Sequence, residues 1–276
     1  LGFFLLLANF SGVYLSGRYR GLLGNPNGLG MFILFSGILY FLINHYHKQI
    51  LFTKFYWLGW LLIIASLLLS GSRNSMIAFT IFLIFSSKVF RGKRHLQLGL
   101  AALAIFSLSF ITEQGFQAIK YLSLQEELRV ESMEDIKKGS GRAVAHDFAL
   151  EYIDNNFWFG NGIGTTEEIF KEAKAELSKK GHQGNAHNSF FTIWINTGFV
   201  GLLFYCLAWF IIFYKVEMQS GFGFPIMLTV AFSAYFESYL ASSLNPFTSL
   251  LLVSLTLLLI PDFTNMLELE EEDTSH

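Results

Sequence analysis

The sequence predicts an all-α fold: a polytopic transmembrane helical bundle of about eight spans with one large helical loop on the extracytoplasmic side. Three observations predict it. Of 276 residues, 53% are apolar and 14% charged, where soluble domains carry about 25% charge. The apolar residues lie in long unbroken runs and not in the ten-residue alternation of a barrel. One central stretch, 113–187, is polar instead and holds 13 of the 21 acidic residues. With a mean hydropathy of +0.45, a soluble globule of this size cannot bury its apolar surface and still present a charged exterior. The single cysteine, Cys206, excludes an internal disulfide. A net charge of -2 argues against a nucleic-acid partner.

Taken in order, the apolar runs are 1–16, 28–44, 57–71, 74–90, 96–112, 189–214, 225–242 and 247–261. The first opens at Leu1 with no charged n-region and no cleavage site, so it reads as the tail of a membrane helix and not as a signal peptide. The chain is therefore expected to be one membrane domain, 1–276, with N-terminal spans missing. Lys48, Lys54, Lys88, Arg91, Lys93, Arg94 and Lys215 collect in one set of loops, which the positive-inside rule assigns to the cytoplasm. The acidic tail, 262–276, falls on that side, and the loop 113–187 falls outside. Within the loop, an amphipathic helix is expected over 116–138 and a second from Ser140 to about Ile153. A third has Thr165 or Thr166 as its cap, Glu167 and Glu168 in its first turn, Lys179 and Lys180 in its last, and Gly181 as its stop.

The unusual polar residues gather at the outer ends of these spans. Short outer loops should be poor in positive charge, yet they carry Arg18, Arg20 and Arg73. Arg20 precedes Asn25-Pro26-Asn27, in which Asn25 suits an N-cap and Pro26 the first helical position. Arg73 lies where one helix ends and the next begins. His187 and Asn188 stand at the start of the 189–214 run, and Asn245-Pro246 repeats the capping pattern. Free helix amides, a positive dipole end and a forked guanidinium make an anion site, and two or three forks suit a diphosphate. Beside them His187 becomes a candidate general base or proton donor. Glu237, inside an apolar run, is expected to bond an arginine or a polar cluster at the outer end. No metal-ligand spacing appears, and the Gly-Asn-Gly-Ile-Gly run at 160–164 lacks the strand–turn–helix setting of a dinucleotide site. That run is expected to form a tight turn, and no cofactor is expected.

Several blocks together resemble the bacterial O-antigen ligase and O-antigen polymerase family of polytopic membrane glycosyltransferases. They are Arg20-Gly21-Leu22-Leu23-Gly24-Asn25-Pro26-Asn27, Ser72-Arg73-Asn74-Ser75, Ser140-Gly141-Arg142, Gly160 to Gly164, Ala186-His187-Asn188-Ser189 and Gly198-Phe199-Val200-Gly201-Leu202. Asn74 stands where the family usually has glycine, and Ala145 where it usually has tryptophan. The resemblance implies a bacterial inner-membrane enzyme with its active site facing the periplasm or cell exterior. Its donor would be a glycan on undecaprenyl diphosphate and its acceptor a glycan or lipid A-core. Arg20, Arg73 and His187 would be catalytic, with Arg142, Asn25, Asn27, Asn188 and Glu237 as substrate contacts. A protein oligosaccharyltransferase is the alternative within this chemistry. Outside it stand a flippase for lipid-linked anionic glycans and a structural membrane protein. A transporter, however, places its ionisable residues near the bilayer midplane, whereas here they collect at span ends.

Overall fold

The computed structural model describes residues 13–15, 17–46, 55–90, 142–179, 186–241 and 245–261. The run at 96–112, the helix at 116–138 and the tail at 262–276 lie outside them, as does most of the run at 1–16. Nine helices are described: α1 (Pro26–Tyr46), α2 (Tyr56–Ser70), α3 (Arg73–Ser86), α4 (Arg142–Asn155), α5 (Thr165–Glu172), α6 (Lys174–Lys179), α7 (Ser189–Ser220), α8 (Gly223–Phe236) and α9 (Pro246–Leu258). Each of the six apolar runs in the described part holds one helix. Only α1 and α7 are long and apolar enough to cross a bilayer, while α2, α3, α8 and α9 are apolar but shorter. At about 1.5 Å per residue, a 15-residue helix such as α2 covers less than the ~30 Å hydrocarbon layer.

The chain divides into two compact units: Leu1–Gly92 with Ala208–Ser233 and Ser242–His276, and Lys93–Leu207 with Ala234–Ala241. In the first unit α2, α3 and α9 all pack on α1. Leu34, Phe35, Ile38 and Leu42 of α1 are fully buried, which explains why this helix is apolar all round. Small residues let its neighbours approach closely. Ser72, just before α3, and Ser75 within it press on Gly30, and the Phe79 ring presses on Gly37. Phe41 meets Phe82 and Phe222 edge-on at 5.2 and 5.8 Å, a favoured aromatic geometry. On α2, Trp57, Leu61, Ile64 and Leu68 are exposed. They form a stripe at helical spacing, the surface a membrane helix turns to lipid.

The end of the run at 1–16 is not helical. Tyr14–Leu15 (β1) pairs antiparallel with Arg18–Tyr19 (β2), and the turn between them includes Gly17 at φ 72°, a conformation that costs glycine little. Apolar composition alone did not separate this hairpin from a helix. Val13, Tyr19 and Leu29 form its small core against the start of α1. Burial pushes the Tyr19 phenol above its usual pKa, with neighbouring Tyr14 adding to the effect.

In the second unit Ala145, Ala149 and Ile153 of α4 pack with Ile169, Phe170, Leu177 and Ile195. The helix from Ser140 is observed as Arg142–Asn155. The predicted cap at Thr165 or Thr166 is corrected: both are helical, and the cap position is Gly164 at φ 88°. Thr166 instead spends its hydroxyl on Asn196 Oδ1 at 2.7 Å. The expected single helix is divided at Ala173 into α5 and α6. The Gly160, Gly162 and Gly164 turns all have positive φ, as the glycine run predicts.

The 189–214 run is interrupted. Gly198 has φ 70° and ψ -177°, a region essentially closed to other residues, so α7 is two helical segments across a kink. Residues 157–162 run alongside the kink and satisfy its backbone. Phe199 N–H donates to the Phe157 carbonyl at 2.7 Å, and Asn161 and Gly162 N–H donate to the Ile195 and Asn196 carbonyls at 2.7 and 2.9 Å. Gly160 lies against the backbone of Thr197 and Gly198, and Gly198 against that of Trp158 and Phe159, so neither position has room for a side chain.

Candidate active site

Four helix ends meet at one end of the first unit. Asn25 Oδ1 accepts the Gly28 N–H at 2.6 Å and Pro26 opens α1, so the predicted cap is present. Asn245 Oδ1 accepts the Thr248 N–H at 2.8 Å and Pro246 opens α9. The Phe247 ring lies over Gly28, which brings these two starts together. α2 ends at Ser70, followed by Gly71 in the left-handed conformation, and α3 begins at Arg73. Ser72, at the cap position of α3, makes no side-chain cap. Its hydroxyl lies 2.9 Å from that of Ser75.

Arg18 organises this end. Its Nε donates to the Ser70 carbonyl at 2.8 Å and its Nη2 to Asn27 Oδ1 at 2.8 Å, tying the hairpin to the end of α2 and the start of α1. Sequence reasoning noticed Arg18 only as a positive charge in an outer loop. Its role depends on a partner 52 positions away, which no local pattern shows. Arg20 donates to the Gly24 carbonyl at 3.2 Å, inside the loop that leads into α1. Arg73 is exposed as the first residue of α3. The oxygens of Asn25 and Asn27 are thus committed to the α1 cap and to Arg18, and their carboxamide nitrogens are the groups able to face an anion. Together this end holds three arginines and the amide-bearing starts of α1, α3 and α9, an arrangement suited to an anion with several oxygens.

The second unit holds the other candidates. Asn188 caps α7, its Oδ1 accepting the Phe190 and Phe191 N–H groups at 2.9 and 3.1 Å. Its own N–H donates to Ser238 Oγ at 3.1 Å. Ser189 Oγ donates to the Glu237 carbonyl at 2.7 Å and accepts the Leu240 N–H at 3.2 Å. This network folds 237–240 against the start of α7 and sets the Glu237 carboxylate 3.7 Å from His187 Nδ1. That distance is a close polar contact, longer than a hydrogen bond. α8 stops at Phe236, so Glu237 lies just past the helix end. One polar group it faces is a histidine. His187 is about a quarter exposed (27%) and has φ 45°, the one positive φ at a non-glycine among the described residues. Such strain collects at functional positions. Asn188 is fully buried, and its Nδ2 has no hydrogen-bond partner among the described residues.

Arg142 is the first residue of α4. One turn later His146 packs edge-on against Phe191 at 5.1 Å and Tyr235 at 5.6 Å. The start of α4 is thereby held beside the start of α7, in the neighbourhood of His187. Ala145, where the resemblance expects tryptophan, is fully buried in the α4 core. Among the described residues no group of three or more His, Cys, Asp or Glu side chains is placed to hold a metal ion.

No curated protein matches the chain significantly. A family model described as O-antigen ligase matches residues 58–206, 149 of the 276 residues.

Proposed function

The chain belongs to the O-antigen ligase family, and on that premise we propose that it transfers a glycan from undecaprenyl diphosphate to a sugar or lipid acceptor on the outer face of the membrane. One observation supports this reading above the others: Arg20, Arg73 and three helix starts occupy one end of the first unit.

Arg20 and Arg73 bind the diphosphate, with Arg142 as a third contact. As the acceptor oxygen attacks the anomeric carbon, the bond from that carbon to the phosphate oxygen breaks, and the leaving diphosphate takes the electron pair. Guanidinium groups and helix amides stabilise that charge as it develops, an electrostatic form of catalysis. His187 accepts the acceptor's hydroxyl proton, and the Glu237 carboxylate beside it stabilises the imidazolium that results. Asn188 fixes the start of α7 and with it the adjoining His187. Displacement in one step inverts the anomeric centre, and no metal takes part.

The test is transfer by the purified protein from a defined undecaprenyl-diphosphate glycan to candidate acceptors, with and without a chelator. Formation of an inverted glycosidic product that survives chelation supports the proposal. Transport of the intact donor across a vesicle membrane without transfer would replace it by a flippase. Product from a Ser or Thr peptide in place of a glycan or lipid A-core would make the protein an oligosaccharyltransferase.

A further inference from the structure

We propose that the loop Phe157–Ile163 is a membrane-seating element whose exposed apolar side chains lie among the lipids beside α7. Phe159 and Ile163 are 81% and 92% exposed, and Trp158 is 59% exposed. Neighbouring apolar groups of this size do not ordinarily face water on a polar loop. They are held in place, because the Phe157 and Trp158 carbonyls and the Asn161 and Gly162 amides are bonded into the Gly198 kink.

The occupant follows from the surface that the loop continues. Phe157 stacks on Phe199 at 5.5 Å, and Trp158 meets the same ring edge-on at 5.9 Å. Phe199 is the top of a stripe on α7 that goes on through Leu203 and Leu207, both exposed and spaced four residues apart on one face. Beyond the Gly198 kink α7 runs on to Ser220, about 33 Å at ~1.5 Å per residue, against a hydrocarbon layer of about 30 Å. Counting back roughly 20 residues from Lys215, the basic residue that ends the apolar run, puts the far edge of the hydrocarbon near Ile195. Trp194, whose Nε1 donates to the Phe157 carbonyl at 3.1 Å, lies at that level. An amphipathic indole beside bare aromatics and an apolar helix stripe is the chemistry of a lipid–water boundary. The occupant is therefore the acyl region of bilayer lipid.

The test needs neither donor nor activity, so it stands or falls apart from the glycan-transfer reading. In a Cys206→Ser background, Phe159→Cys, Ile163→Cys and, as a water-facing control, Lys171→Cys are each labelled with bimane. The full chain is then placed in nanodiscs of phosphatidylethanolamine and phosphatidylglycerol, with or without dibrominated phosphatidylcholine. The labels at 159 and 163 are expected to lose emission to the brominated lipid and resist aqueous iodide, with the reverse at 171. Iodide quenching at 159 and 163 equal to that at 171 would overturn the proposal. Shielding from both quenchers would overturn it too, since a second copy or another protein would then cover the loop.

Discussion

At the scale of single residues, arginine positions separate into holding the fold and holding the substrate. Arg18 donates to the Ser70 carbonyl at the buried end of α2 and to Asn27. Arg18→Ala should therefore lower stability by about 1–3 kcal/mol, the range for a lost charged hydrogen bond with a stranded partner, seen as a lower melting temperature in detergent. Arg73 is exposed at the start of α3. Arg73→Ala should slow transfer by the purified variant roughly 10²–10³-fold, as when a transition-state donor is lost. Arg20→Lys should also be poor in transfer, because an ammonium lacks the two-pronged fork. His187 tests chemistry against structure in one substitution. Its φ of 45° suits glycine, so His187→Gly should melt no lower than the parent while transfer assayed with the purified variant is lost. A variant that melts higher and still transfers would remove the imidazole from the mechanism. The positions of Arg73 and His187 were legible because each stands next to a helix start. The His187–Glu237 contact was not, since a fifty-residue separation leaves no periodic trace.

At the scale of elements, caps were readable and interruptions were not. Asn25-Pro26 and Asn245-Pro246 announce α1 and α9 through bonds to residues three positions on, so the chemistry is local. Asn245→Ala should cost about 1 kcal/mol, the worth of one N-cap, measured by thermal melting. Gly198 sits in an apolar run and looks like any glycine of a membrane helix. Only the return of 157–162 shows that it marks a kink. Gly198→Ala should destabilise by at least the roughly 1–3 kcal/mol of a forbidden backbone conformation, with the Trp158 clash added. Gly24→Ala should change little, because a Cβ there meets no atom within 4 Å. Comparing the two melting temperatures checks this. The hairpin at Tyr14–Tyr19 and the Gly164 cap of α5 escaped for a related reason. Both rest on a left-handed glycine, and composition does not reveal which glycines adopt that conformation.

At the scale of the whole molecule, the prominence of apolar runs made the helical membrane class legible, and the family match agrees with it. Lengths were less legible: hydropathy extends past the points where the helices stop, as at Phe236 and Leu258. If the basic loops face the cytoplasm, Lys171→Cys in intact cells should react with an impermeant maleimide, and Lys88→Cys only after lysis. The opposite pattern would invert the orientation. The Gly198 kink has one more effect. The Phe199 amide is bonded to the Phe157 carbonyl and is shielded while residues 157–162 remain docked, and the Asn161 and Gly162 amides depend on the same contact. Deuterium uptake at these sites should thus rise together, with a single opening rate. That rate would time the undocking of the aromatic loop directly.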